Sequence, residues 1–163
     1  MPLVATRGAA SAQGFGEFAQ QTAANYIEDV FQTWLYTGNG STQTITNGID
    51  LSGKGGLVWT KSRTATFYSQ NNVFDTARGN QSLLFTESTN AALTGNLNLQ
   101  FNSDGFANTP SNNVRFNDNG VNYVSWTFRK QPKFFDVVTY TGTGSARTTV
   151  SYTHLTLPTK RIV

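Results

Sequence analysis

The sequence predicts an all-β fold: an antiparallel, jelly-roll-like β-sandwich with a short N-terminal helix. Three observations predict it. The chain is rich in Thr, Asn, Gly and Ser and in aromatics (12 Phe, 6 Tyr, 3 Trp), with only 13% charged residues, a composition suited to pleated strands joined by tight turns. Short β-prone runs alternate with turn signals at intervals of about eight to twelve residues, the spacing of a sandwich or barrel. Nowhere do strand and helix patterns alternate, so a parallel α/β sheet is not expected.

Residues 1–14 are small and polar without a period and read as an arm. Residues 17–30 (EFAQQTAANYIEDV) place Phe18, Ala23, Ala24 and Ile27 on one helical face and form the one predicted helix. The run 31–36 (FQTWLY) is a strand, 37–40 (TGNG) a turn, and 42–47 (TQTITN) a second strand. After a loop at 50–56, residues 57–63 (LVWTKSR) alternate, with Leu57 and Trp59 opposite Val58 and Thr60. Residues 66–75 continue the sheet around a turn at 70–72, and 82–86 (SLLFT) form a short strand. A polar connection, 87–95, leads to 97–101 (LNLQF), the turn 102–105 (NSDG) and a return strand from Phe106. Beyond the loop 108–113 come a short strand at 114–116 and the turn 117–120 (NDNG). The strongest strand signal is 121–130, with Tyr123, Ser125 and Thr127 against Val124, Trp126 and Phe128. Residues 134–140 (FFDVVTY) are the last expected strand.

Residues 150–163 (VSYTHLTLPTKRIV) resemble the translation of a transposase-type sequencing adapter. Read in one frame, GTC TCT TAT ACA CAT CTG ACG CTG CCG ACG encodes Val150 to Thr159 residue for residue. Lys160, Arg161 and Ile162 then read as a sample index, and Val163 as the start of the next adapter segment. Such segments are set aside before reasoning about a fold; the alternative is a genuine strand. Without this tail the chain loses its one histidine, His154. Ten basic residues then face nine acidic ones, so the net charge falls from +3 to +1.

That near-neutral body shapes the expectations about function. Arg129, Lys130 and Lys133 form the one basic cluster and read as a solvated strand end, so no nucleic-acid partner is expected. Absence of cysteine excludes disulfides and thiolate metal sites. Absence of histidine from the body removes the commonest general base. There is no apolar run long enough to span a bilayer. The N-terminus is a poor signal peptide, and Met1, the one methionine, reads as a start.

A repeat suggests modular organisation. The segment YTGNGSTQT from Tyr36 recurs as YTGTGSART from Tyr140, 104 positions later, and Phe31 matches Phe135 at the same offset. The expected layout is an arm and helix over 1–24 and a β-sandwich over 25–133. Residues 134–149 are then a last strand or the opening hairpin of a truncated second module, followed by the artefactual 150–163. Two similar hairpins within one sheet are the alternative.

Catalysis finds little support. No strand carries carboxylates at i and i+2, as sandwich glycoside hydrolases require of an acid and a base sharing one face. No Gly-rich phosphate loop opens a helix. A non-enzyme is expected, without a cofactor. The one metal considered is calcium, for which Asp104 and Asp118 in the NSDG and NDNG turns are weak candidates, because tight turns need the same residues anyway. Carbohydrate binding would use aromatic platforms with amide and carboxylate partners. The candidates are Trp34, Tyr68, Arg78, Asn102, Asp104 and Asp118. Trp59, Trp126 and Tyr123 are platforms of the same kind, with core packing the expected role of Trp59 and Trp126. Within FDTARG, Asp75 and Arg78 are expected to pair structurally.

The ordered segments 25–51, GGLVWTKSRT (55–64), VFDTARGNQSLLFTESTNA (73–91), FNSDGF (101–106) and 122–142 resemble a family of tailed-bacteriophage proteins, many from marine viral metagenomes. That family carries a domain of unknown function related to concanavalin A-like and laminin-G-like lectin sandwiches. The resemblance covers residues 25–149. It departs at Thr60 and Ser62, where the family has apolar and Asn-like residues, and in the polar lead into Phe74-Asp75-Thr76. It implies a virion component of the tail fibre or another surface appendage, made in the host cytoplasm. Its expected partners are other virion proteins and further copies of itself, and the leading reading adds a host cell-surface glycan; the alternatives are a purely structural virion module with no ligand and a glycan-degrading enzyme. It carries no catalytic residues over.

Overall fold

A computed structural model describes residues 26–64, 71–97, 99–109, 116–146 and 148. Most of the expected N-terminal helix, Tyr68 and the tail 150–163 lie outside the described residues. What is described of the helix is one turn, α1 (Ile27–Val30), whose Asp29 carboxylate accepts from the Tyr26 amide at 3.1 Å.

The strands are β1 (Phe31–Thr37), β2 (Gln43–Thr46), β3 (Gly56–Ser62), β4 (Asn71–Asp75), β5 (Ser82–Phe85), β6 (Leu93–Thr94), β7 (Leu99–Asn102), β8 (Gly105–Asn108) and β9 (Asn122–Arg129). All pair antiparallel, in a six-stranded sheet ordered β1-β9-β3-β4-β5-β6 and a three-stranded sheet ordered β2-β8-β7. The all-β sandwich expected from the sequence is therefore the observed fold. Where a loop was expected after Asp50, a one-turn helix α2 (Leu51–Lys54) forms. The Asp50 carboxylate caps it by accepting from the Gly53 amide at 2.7 Å. No helix among the described residues is long and apolar enough to cross a membrane.

Strand alternation sends one face of the large sheet toward the small one. Tyr36, Val58, Phe74, Leu83 and Tyr123 from the large sheet meet Ile45, Leu99 and Phe106 from the small one in a single buried cluster closed by Ile49, Leu51, Leu97 and Phe116. Each such side chain contributes about 1.5–3 kcal/mol by leaving water. The same inner face carries buried Thr60, Ser125 and Thr127. Asn47, just after β2, ties the two sheets together by donating from Nδ2 to Thr127 Oγ1 at 2.8 Å.

This parity corrects one expectation. Trp59 and Trp126 do not pack between the sheets. They are register partners on the outer face of the large sheet, with ring centroids 5.2 Å apart, and Trp59 Nε1 donates to Asn71 Oδ1 at 3.3 Å. Phe128 lies on that face between Phe31 (4.8 Å) and Phe135 (5.1 Å). The outer face tolerates these rings because the chain beyond β9 returns across it. Residues 131–135 close a tight turn, with the Gln131 amide donating to the Phe135 carbonyl at 2.9 Å and the Phe135 amide to the Gln131 carbonyl at 3.0 Å. Lys130 Nζ then holds Asp136 Oδ1 at 2.9 Å. Residues 134–140 consequently form no strand, the second correction; a lone bridge, Gln131 to Phe135, is all the pairing they make.

The third correction concerns the segment 36–42. It is not a hairpin, since β1 pairs with β9 and β2 with β8. It is a crossover between sheets, clasped to the turn before β9. The Gly38 amide donates to the Val121 carbonyl (2.8 Å), the Gly40 amide to Asn117 O (2.9 Å) and the Gly120 amide to Gly38 O (2.9 Å). The Asn117 side chain accepts from the Asn39 amide at 3.0 Å and donates to Ser41 O at 2.6 Å.

Beneath the clasp Tyr36 and Tyr123 stack at 5.2 Å, and Tyr36 Oη donates to Phe116 O at 2.7 Å. Burial pushes the Tyr36 phenol far above its usual 10.0, with the Tyr123 charge adding to the effect. Burial likewise pushes Tyr123 up to about 12. Both phenols stay protonated in the fold at pH values where the unfolded chain ionises. Their contribution is complete below pH 10.0 and is lost as pH rises through it toward about 12. Thermal melts between pH 9 and pH 12 are expected to show a steep alkaline loss of stability. Tyr36→Phe is expected to flatten that slope while lowering stability near neutrality by about 1–2 kcal/mol, through the orphaned Phe116 carbonyl. An unchanged slope would count against the buried pair.

Candidate functional site

Beside Trp59, whose register partner is Val73, the outer face of the large sheet carries Leu57, Val73, Leu84 and Asp75, which the β3–β4–β5 register places on one side. Asp75 closes β4 and is only 1% exposed. Its carboxylate accepts from the Arg78 backbone amide at 2.8 Å and from Arg78 Nε at 2.6 Å, and it pairs with Nη2. The short loop between them is terminated by Gly79 at φ 89°, whose amide donates to the Asp75 carbonyl at 3.0 Å. The expected structural pairing of Asp75 with Arg78 is thus present. Arg78 Nη1 remains buried with no hydrogen-bond partner among the described residues.

The returning segment supplies the facing wall. Residues 137–140 and the sheet face enclose an open cleft of about 400 Å³ lined by Leu57, Val73, Leu84 and the Asp75–Arg78 pair. Tyr140 stands at its edge, 66% exposed. Apolar walls with one convergent polar pair and an aromatic lip are the usual composition of a small-ligand site. A second recess of about 250 Å³ adjoins it, lined by Lys54, Gly55, Gly56, Thr76, Ala77, Lys130 and Val137. Val137 belongs to both, and the loop 75–78 divides them.

Of the ligand candidates among the described residues, only Arg78 lines the cleft. Trp34 sits on the edge strand β1, 41% exposed, far along the sheet order from β4. Asn102 ends β7. Asp104 serves the β7–β8 turn, where its carbonyl accepts from the Asn47 and Gly48 amides at 2.9 Å each. Asp118 lies in the clasp, its amide donating to Tyr123 Oη at 3.0 Å. Asp104 neighbours the Thr46 end of β2 and Asp118 the segment before Gln43, so they occupy opposite ends of that strand and share no calcium site. No group of three or more His, Asp or Glu side chains is placed to hold a metal among the described residues. Sequence reasoning missed Tyr140 and Lys54 as lining residues. The former was assigned to a strand, and Lys54 sat in a Gly-rich stretch read as plain loop.

Fold and cleft together define an antiparallel β-sandwich module with a potential small-ligand site on the outside of its larger sheet. The chain belongs to the family described as Domain of unknown function (DUF7483), whose family model matches residues 27–163. No curated protein and no solved structure matches the chain.

Proposed function

We propose that this chain is a structural protein of a phage tail fibre or other surface appendage, and that its sandwich presents a binding site for a host-surface glycan. The carrying observation is the open cleft in which the buried Asp75–Arg78 pair adjoins the exposed ring of Tyr140. A sugar offers one apolar face and a rim of hydroxyls. An exposed aromatic ring suits the face, and Arg78 Nη1 suits a hydroxyl or ring oxygen. Support for the virion setting comes from the ordered segments that resemble tailed-phage proteins. Action by binding without turnover fits the strands, which carry neither histidine nor paired carboxylates among the described residues. Its partners would be other virion proteins, the glycan and further copies of the chain.

The test is a glycan array with the purified chain, followed by titration of the best ligand. Tyr140→Ala is expected to weaken binding about 5- to 30-fold, the worth of one stacked ring at about 1–2 kcal/mol. The loss of melting temperature should be small beside the loss of binding, because Tyr140 is largely exposed. Binding that survives this change, or turnover of the glycan, would overturn the reading. The adapter reading of residues 150–163 is a separate proposal. Because the family match spans that segment, its test is the codons themselves: synonyms of the adapter bases at Val150 to Thr159 would exclude it.

A further inference from the structure

The two adjoining recesses differ in charge. In the larger, Arg78 and Asp75 neutralise one another. In the smaller, Lys130 is held by Asp136, which leaves Lys54, in the last turn of α2, as a cation with no ion pair among the described residues. Among the described residues Asp75 is the one carboxylate lining either recess, and it is bound to Arg78. Across Lys54, Lys130, Arg78, Asp75 and Asp136 the balance is three positive charges against two negative, a net of +1. A ligand running from one recess to the other past Val137 therefore meets an aromatic and apolar stretch first and a cationic end second. The two recesses share Val137 and both take part of their walls from the 75–78 loop, so they adjoin closely enough to be read as two parts of one site.

We infer that the site takes an acidic saccharide, with one sugar ring against Tyr140 and Arg78 and the carboxylate of a neighbouring residue at Lys54. This rests on the glycan reading above and narrows it to a chemical class. A neutral sugar leaves the Lys54 charge unused, and a second carboxylate at Arg78 is disfavoured by the buried Asp75 beside it. Preference for the acid is a charge effect between partly exposed groups and must weaken with salt.

Titration calorimetry on the full chain with galacturonate, glucuronate and mannuronate trisaccharides, each beside its carboxyl-reduced neutral counterpart, tests this. At low salt at least one uronate is expected to bind about tenfold tighter than its neutral form, with the gap narrowing at high salt. Lys54→Gln is expected to abolish that gap by weakening the acidic form, with the melting temperature unchanged. Tyr140→Ala is expected to weaken both forms alike. Equal binding of acid and neutral forms overturns the inference and leaves the glycan reading standing. A preference that survives Lys54→Gln overturns the assignment of the charged end. Binding of neither form overturns the inference, while the glycan reading is decided by the array.

Discussion

Gly38→Ala is expected to lower the melting temperature by roughly 6–12 °C, while Gly142→Ala is expected to leave it unchanged. The two glycines hold the same place in the repeated Tyr-Thr-Gly-Xaa-Gly-Ser segment, 104 positions apart. Sequence alone treats them alike. A Cβ on Gly38 would stand 2.3 Å from the Asp118 carbonyl oxygen and 2.8 Å from the Asn117 carbonyl carbon, and one on Gly142 meets nothing within 4 Å. The atoms in the way at Gly38 are backbone, so no side chain can swing aside. The crossover must separate from residues 117–121 and lose bonds of the clasp, at a cost of about 3 kcal/mol. Circular dichroism melts of the two variants decide it. Near-identical melts would mean that the clasp is not what holds β1 against the turn before β9.

That contrast shows what the sequence could and could not convey. The strands at 31–37, 56–62 and 122–129 were legible because alternation and β-branched or aromatic residues act locally. Which face of each strand looks inward was not. On β9 the alternation sets Tyr123, Ser125 and Thr127 against Val124, Trp126 and Phe128, and hydrophobicity favours the second set for the core. The fold buries the first, because Tyr36, Phe74 and Phe106 converge on Tyr123, while on the other face Phe31 and Phe135 cover Phe128. A sheet covered on both faces has no single polar side to read. Partnership was equally hidden. Residues 31–36 and 42–47 flank a Gly-Asn-Gly turn and have every local mark of a hairpin, yet bonds to residues 117–121 turn the chain out of its own sheet.

The candidate site was legible in part for the same reason. Asp75 and Arg78 are three residues apart, and their pairing is a local event that FDTARG announces. Tyr140 and Lys54 reach the cleft only through tertiary folding: the first because Lys133, at φ 66°, and the Lys130–Asp136 pair turn the chain back over the sheet, the second because Asp50 caps α2. No spacing in the sequence records either event. Trp34, by contrast, has the residue type of a sugar platform without the neighbours of one.

Asp75→Leu is expected to destabilise the protein by about 2–4 kcal/mol. The Asp75 side chain is 2% exposed and answers three donors of Arg78, so its loss strands a guanidinium against Leu57, Val73 and Leu84. The expected cost stays below the full value for a buried ion because the Arg78 side chain is 19% exposed and can reach water in part. Arg78→Leu leaves the opposite charge stranded, with less access to solvent, and is expected to cost at least as much. Replacing both by leucine leaves no unpaired charge in the cleft. The double variant is expected to lie within about 1–2 kcal/mol of the parent, having lost the bond that the Arg78 amide makes to the carboxylate. Denaturant melts of the four proteins close the cycle, and additive losses would show that the pair is not coupled. The double variant also separates the two roles assigned to Arg78. It should fold with nearly parental stability and yet fail to bind saccharide, since Nη1, the buried donor left without a protein partner, is gone. A stable double variant that still binds would confine Arg78 to holding its loop and leave Tyr140 and Lys54 to carry recognition.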